Sequence, residues 1–336
     1  MTETRLPINT PTGLVDRLTT RKRILVMGAT GFVGRALVPA LVADGHDVTA
    51  HGRQPVSEAT LAGLGVSRHV FCDFEGACDF ERMLRGHELV IHLAGVAHQD
   101  KTTPYYRYER INVAATQEIA RAAAVSNIKV IFVSSIAAQV GVSSTSIVSE
   151  ADEQAPTTFY GGSKRLAEVR LLESGANYVV IRPPLIVGAG AKGNFAELLK
   201  LAARPVPLPF GGLEARRSLL SIDNLIAAIK FLIGADHISK QTFIVADAIP
   251  LRVREMIASS RKGMGMRPLL FPVPDALLSA SFSMLGRKDA LERISSPLVV
   301  SPQKIVDAGF RHVTTSSRAL EATGAWYINQ ARGRLS

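Results

Sequence analysis

The apolar positions of this chain fall into short continuous runs that alternate with stretches of helical spacing. Residues 1–22 show no periodicity and carry Pro7, Pro11 and Gly13, which reads as a flexible arm. From Arg23 the pattern sharpens. Ile24-Leu25-Val26-Met27 is an unbroken apolar run, as expected of a parallel strand covered on both faces. FVGRALVPALVADG (32–45) places apolar residues at helical spacing, with Gly45 as a stop signal and Pro39 inside, where one backbone hydrogen bond is lost. Strand-like runs recur at Val48–His51, Leu89–Leu93, Val130–Val133 and Tyr178–Ile181. Between them, helices are expected over Asn112–Val125 and Tyr160–Leu172. Such alternation with short links predicts an α/β fold built on a doubly wound parallel sheet.

Beyond Gly190 the rhythm loosens. Pro205, Pro207, Pro209 and Gly211-Gly212 form a breaker-rich stretch that suits neither a central strand nor a helix interior. Asp223 reads as the N-cap of a helix over residues 224–234, and Phe243–Val245 and Leu298–Val300 read as short strands. The expected organisation is an arm (1–22), a sheet-bearing domain (23–190) and a smaller lobe (191–336) that shares elements with it.

Composition narrows the function classes. An apolar fraction of 47% over 336 residues excludes bulk disorder and allows a sizeable core. Cys72 and Cys78 are too few for a disulfide framework, and C-x5-C is not a zinc spacing; the count fits a reducing compartment and no metal site is expected. No run of about 18 apolar residues exists, and the N-terminal stretch lacks the apolar core of a signal peptide, so a cytoplasmic protein without membrane contact is expected. The net charge of +10 raises the question of nucleic acid, but the densest basic clusters are Arg21-Lys22-Arg23 and Arg216-Arg217, too short for a binding arm. Aromatics at 6% are poor material for base stacking. The charge therefore reads as solvated surface plus some phosphate contacts, with no nucleic-acid partner.

Gly28-Ala29-Thr30-Gly31-Phe32-Val33-Gly34 lies between the first strand and the first helix. A dinucleotide needs such a turn, because bare backbone must approach the pyrophosphate while a helix N-terminus faces the anion. At the end of the second strand, where an acidic residue would accept the ribose hydroxyls of NAD, stand Gly52 and Arg53; a guanidinium there suits the 2′-phosphate of NADP, which makes NADP the expected cofactor ahead of NAD. Tyr160-Gly161-Gly162-Ser163-Lys164 puts a phenol and an ammonium on one helix face, and a nearby cation brings a phenol toward the working pH range. Ser134-Ser135 closes the Val130–Val133 strand, where a hydroxyl either faces the ligand crevice or caps a turn. No HExxH and no G-x-S-x-G occurs, which leaves metalloprotease and hydrolase-triad chemistry without a basis; His92 and His98 only flank an apolar turn.

With these pieces in order, the chain resembles the extended short-chain dehydrogenase/reductases, the NAD-dependent epimerase/dehydratase family. The landmarks are GATGFVG (28–34), CDF (72–74), HLAG (92–95), VSS (133–135), YGGSK (160–164) and RPPLIVG (182–188), spaced as in that family over residues 23–330. The resemblance implies a Rossmann sheet with a C-terminal substrate lobe. It implies that Gly28, Thr30, Gly31, Phe32, Val33 and Gly34 hold pyrophosphate, that Asp73 and Phe74 meet adenine, and that Leu93, Ala94, Gly95 and Pro183 line the cofactor. Tyr160 would be the acid/base, Lys164 would hold the nicotinamide ribose, and Ser135 would bond the reacting oxygen. The second lobe looks like bacterial enzymes acting on UDP-N-acetylamino sugars for surface polysaccharide, which would give Asn194, Arg216 and Arg217 to the substrate diphosphate. Two departures stand out. Ile136 occupies the position of the usual catalytic Ser or Thr, and Val187 that of an aromatic residue. The expected activity is 4-keto reduction or 4-epimerisation of a UDP-sugar. A carbonyl or dihydroflavonol-type reductase and a non-catalytic NADP sensor or subunit are the alternatives, and a homodimer is compatible with all three.

Overall fold

The computed structural model describes residues 20–96, 103–274, 276–278, 284 and 296–332; most of the predicted arm, and His98, lie outside the described residues. Strand β1 (Arg23–Met27) leads into helix α1 (Phe32–Ala43), which runs unbroken through Pro39, and then into β2 (Asp47–Gly52). Next come α2 (Glu58–Leu64), β3 (Arg68–Phe71), α3 (Phe80–Leu84) and β4 (Leu89–His92). Short α4 (Tyr105–Arg107) opens into a π-helical stretch, Tyr108–Ala114, before α5 (Ala115–Val125). The helix predicted from Asn112 is therefore longer and irregular in its first half. Within it the Asn112 side chain turns inward, and the Thr116 hydroxyl donates back to the Asn112 carbonyl at 2.6 Å.

The sheet continues with β5 (Lys129–Val133), a 3-10 turn at Ile136–Ala138, α6 (Phe159–Glu173) and β6 (Tyr178–Arg182). β7 (Leu185–Val187), α7 (Asn194–Ala202), β8 (Arg216–Arg217) and β9 (Leu219–Ser221) follow, then α8 (Ile222–Gly234), β10 (Gln241–Ile244), β11 (Leu251–Arg252) and α9 (Val253–Gly263). α10 (Gln303–Asp307) and α11 (Ser316–Arg332) end the described chain.

Seven strands form one parallel sheet in the order β10-β6-β5-β4-β1-β2-β3. This is the doubly wound fold that the alternation predicts. Strand side chains alternate between two cores. Ile24, Val26, Ile91 and Ile131 pack with α1 and α8, while Leu25, Met27, Val90 and Phe132 pack with α5 and α6. β10 comes from beyond residue 190 yet pairs with β6, so the C-terminal part of the chain completes the sheet. A further core gathers α7, α9 and α11 around Phe195, Met256, Ile257 and Leu320.

Three local expectations need correction. Asp223 is not the N-cap of α8: Ser221 is, its Oγ accepting from the Asn224 N–H at 3.3 Å, and Asp223 sits in the first turn. Asp247 takes hydrogen bonds from Ser221, Asn224 and Ser316, which locks that helix start to the loop after β10 and to α11. Leu298–Val300 makes only isolated bridges, Leu298 with Arg217 and Val300 with Val148, because its neighbours there are themselves too short to extend a ladder. And Cys72 and Cys78, whose count reads as fitting a reducing compartment, are bonded to each other across the turn that follows β3.

Candidate functional site

The strand order reverses between β1 and β4, and that switch point opens a crevice at the carboxyl ends of the strands. The Gly-rich turn lies there. Gly28 has φ +86° and backs onto the chain after β4: a Cβ would stand 2.8 Å from the Ala94 nitrogen. Gly34 is buried, and a Cβ on it would overlap the carbonyls of Gly28 and Ala29, so this glycine serves helix–turn packing. Gly31 differs. It is exposed, and a Cβ would meet only the Gly28 carbonyl at 3.2 Å. Gly31 is also the N-cap of α1, with no side-chain cap and no acidic residue in the first turn. The first N–H groups of a 12-residue helix thus face the crevice uncapped, which suits a pyrophosphate. Thr30 is half-buried, and its carbonyl accepts from Arg35 Nε; Phe32 and Val33 form the first turn.

At the end of β2 the chain passes through buried Gly52 to exposed Arg53, with no carboxylate at this point. His69 stands beside them, 3.4 Å from where a Gly52 Cβ would be. After β3, Asp73 is exposed and its Oδ1 accepts from the Glu75 N–H at 3.1 Å, while the Phe74 ring turns inward and stacks on His51 at 5.0 Å. Phe74 therefore offers the crevice backbone and not its ring. His51, Phe74, His92 and Phe132 form a continuous row of rings beneath the crevice, and the Lys164 ammonium sits 4.6 Å from the Phe132 centroid at its end.

The carboxyl end of β5 meets the start of α6. Ser135 caps the 3-10 turn, accepting from the Ala137 N–H at 3.2 Å, and the Tyr160 phenol lies beside its hydroxyl. The turn-capping reading of this serine is thus observed. Burial of the phenol raises the Tyr160 pKa above its ordinary value, and the Ser135 hydroxyl opposes that shift. Lys164 is one helical turn further on, buried, donating to the Val133 carbonyl at 3.1 Å, and desolvation lowers its pKa to about 8. Gly161 explains how α6 comes so close: a Cβ there would overlap the Ala137 carbonyl, whereas Gly162 faces open space. Ser134 is buried, with its hydroxyl unpartnered among the described residues. Leu93, Ala94 and Gly95 leave β4 toward this point, and Gly95 lies against Asn112 Oδ1 and Lys164 Nζ. Pro183 is buried, and its carbonyl accepts from Ile136 at 2.9 Å.

Residues that pattern reading passed over hold this cluster together. Asn112 is buried; its Oδ1 accepts from the Val96 N–H at 2.8 Å and its Nδ2 donates to Ser163 Oγ at 2.9 Å, tying the β4 loop to α6. An asparagine in an Ala-rich helix was the available signal. Arg182 makes a buried two-pronged ion pair with Glu168 at 3.0 and 2.6 Å and donates to Gln139 Oε1 at 2.8 Å. That network joins α6, β6 and the segment after Ser135. Glu168, four residues after Lys164, was visible as spacing only.

In β8, Arg216 and Arg217 point to opposite sides, as strand alternation requires. Arg216 is exposed. Arg217 is partly buried and donates to the carbonyls of Val142 and Ser296, with its pKa lowered by desolvation. Asn194 opens α7, and its side chain lies outside what the structure describes. Among the described residues, no group of three His, Cys, Asp or Glu side chains is placed to hold a metal, and no helix is long and apolar enough to cross a membrane.

Residues 24–246 match the family described as NAD dependent epimerase/dehydratase. The chain is 33% identical over 291 residues to a UDP-glucose 4-epimerase of Vibrio cholerae, covering 83% of this chain and 87% of that protein. It is 25% identical over 261 residues to a ceramide reductase of Caulobacter vibrioides, covering 75% and 74%. Among solved structures, a UDP-glucuronic acid 4-epimerase from Bacillus cereus in complex with NAD superposes with a TM-score of 0.71 at 20% identity, covering 92% of this chain and 99% of that one, which speaks for the fold.

Proposed function

Because the chain belongs to the NAD-dependent epimerase/dehydratase family, we propose that it carries out oxidoreduction at C4 of a UDP-linked sugar. The observation that carries this reading is the buried Tyr160 beside Ser135, one helical turn from buried Lys164 and on the same sheet edge as the uncapped Gly31 turn. Gly28 to Gly34 would hold the pyrophosphate of a dinucleotide, Asp73 its adenine end, Leu93 to Gly95 and Pro183 its flank, and Lys164 its nicotinamide ribose. Bound there, a nicotinamide supplies a two-electron acceptor and donor.

The chain's own residues handle the proton. Tyr160 Oη exchanges it with the sugar 4-oxygen, and Ser135 holds that oxygen in line. A phenol whose pKa is raised keeps its proton at neutral pH, which equips it to donate to a 4-keto group; the Lys164 cation one turn away assists the reverse step by stabilising the phenolate. Arg216 is the arginine free to meet the diphosphate, since Arg217 is committed to backbone carbonyls. The proposed substrates are UDP-sugars of the type used in surface polysaccharide.

The relative of Vibrio cholerae supports 4-epimerisation. Gly52-Arg53, with no carboxylate for ribose hydroxyls, and Ile136 in place of a hydroxyl residue support a second reading, an NADPH-consuming reductase. One set of assays separates them. Epimerisation predicts interconversion of UDP-glucose and UDP-galactose, or their N-acetyl forms, without net consumption of cofactor. Reduction predicts loss of NADPH absorbance with a UDP-4-keto-6-deoxy sugar, with Arg53→Asp shifting preference toward NADH. UDP binding by calorimetry, weakened more than tenfold in Arg216→Ala, corresponds to the loss of about 1.5–3 kcal/mol for one charge-assisted contact. A wild type that binds no UDP leaves only a small-carbonyl reductase or a cofactor sensor.

A further inference from the structure

We propose that Cys72 and Cys78 are a redox-modification site that sets cofactor affinity through the turn between them. The inference rests on the reading above that Asp73 and Phe74 face the adenine end of a dinucleotide. The two cysteines are the only ones in the chain, so oxidation within it has a single outcome. They are bonded with their Cα atoms 6.0 Å apart, and both are partly accessible.

The placement gives the bond its consequence. Cys72 is fixed to the sheet: its N–H donates to the Gly52 carbonyl at 3.1 Å, and its carbonyl accepts from His51 Nε2 at 3.1 Å. Cys78 immediately precedes Asp79, the N-cap of α3, whose carboxylate accepts from the Arg82 N–H at 2.9 Å. Five residues, Asp73 to Ala77, thus span two fixed ends, and the disulfide closes them into a small ring. Opening that ring leaves the turn held by the buried Phe74 ring at its centre, while Asp73 and Glu75 to Ala77 stay exposed and keep only non-covalent ties such as the Glu75–Arg107 ion pair at 2.9 Å. An ordered turn has less conformational freedom to lose when ligand binds, so the closed ring binds cofactor more tightly.

The chemistry is thiol–disulfide exchange with a low-molecular-weight disulfide such as oxidised glutathione. One cysteine thiolate attacks a sulfur of the small disulfide and expels a thiolate. The second cysteine then displaces the other small thiol from the mixed disulfide. The protein loses two electrons and two protons, and one small disulfide becomes two thiols.

The test uses the full chain, treated either with oxidised glutathione or with excess dithiothreitol, the state of each verified by intact mass as a difference of two hydrogens. NADPH and NADH are titrated by fluorescence. The expected result is a dissociation constant roughly three- to tenfold higher in the reduced protein, the scale of ordering a short turn, and Cys72→Ser binding like the reduced protein in both buffers. Equal affinity of the two states overturns the inference while leaving the cofactor reading intact, as does a pair that stays reduced under oxidised glutathione. Failure of both states to bind either cofactor overturns the cofactor reading and the inference together.

Discussion

Tyr160 and Lys164 stand one helical turn apart, and burial pushes each toward its neutral form: the phenol upward, the ammonium downward to about 8. For Tyr160 the consequence is catalytic. Tyr160→Phe keeps the ring and removes the proton, so turnover should fall by roughly 10²–10⁴ with cofactor binding unchanged in a titration. Near-normal turnover would mean another group moves the proton. For Lys164 the consequence is also thermodynamic. Its pKa in the unfolded chain is near 10.5, so below about pH 8 folding carries a protonated amine into a dry site at a cost, and stability rises as pH climbs from 8 toward 10.5. Lys164→Met should therefore be more stable than wild type at pH 7, by about 1–3 kcal/mol after loss of the bond to Val133. The gain should shrink to nothing near pH 10.5, and urea unfolding at the two pH values checks the sign. A variant that gains stability and loses activity identifies Lys164 as kept for function.

At the scale of elements, the turn before α1 separates packing from ligand contact. Gly34 and Gly31 belong to one motif, but a Cβ on the first overlaps two backbone carbonyls, whereas on the second it meets one at 3.2 Å, a tight contact that a shift of a few tenths of an ångström relieves. Gly34→Ala should lower the melting temperature markedly, by the roughly 1–3 kcal/mol or more of an overpacked site. Gly31→Ala should leave melting within a few degrees, given its φ of −76°, yet weaken NADPH binding. If the two variants lose stability equally, the Gly31 backbone is structural and the anion cradle lies elsewhere. Gly161 is the counterpart at α6, where the absent Cβ lets the helix carrying Tyr160 rest on the turn that carries Ser135. In both places, glycine sets how closely two elements approach.

Across the whole molecule, the row of rings under the crevice links β2, β4, β5 and the loop after β3, and burial there keeps two histidines neutral. His51 is pushed down to about 4 by burial, and His92 lies well below its ordinary value through burial and the nearby Lys164 charge. Unfolded histidines take up protons near pH 6.5, so the unfolded state binds more protons between about 6.5 and 4, and stability is lost as pH falls through that window. From pH 7 to pH 5, His51 alone should cost about 2 kcal/mol. Urea midpoints at the two pH values should show the drop, and His51→Asn should flatten it. An unchanged slope in that variant would assign the acid sensitivity to carboxylates instead.

The order of elements, the glycine turn, the Tyr160/Lys164 spacing and the Ser134-Ser135 strand end were legible in the sequence, because each depends on residues close together in the chain: periodicity, turn chemistry and one helical turn. The family followed from those local marks in order. Tertiary structure alone decided what depends on distant partners. The inward turn of the Phe74 ring, the buried Arg182–Glu168–Gln139 network, the clasp of Asn112 on Ser163, and Arg217 spent on carbonyls all require elements far apart in sequence to meet. The same holds for the cap of α8, where a buried carboxylate at Asp247 selects Ser221 over the nearby Asp223, and for Cys72 with Cys78, whose pairing depends on the path of the turn between them. A one-dimensional pattern records which way a side chain faces within its own element. It does not record which distant polar group will be there to meet it, and in this protein those meetings shape the crevice.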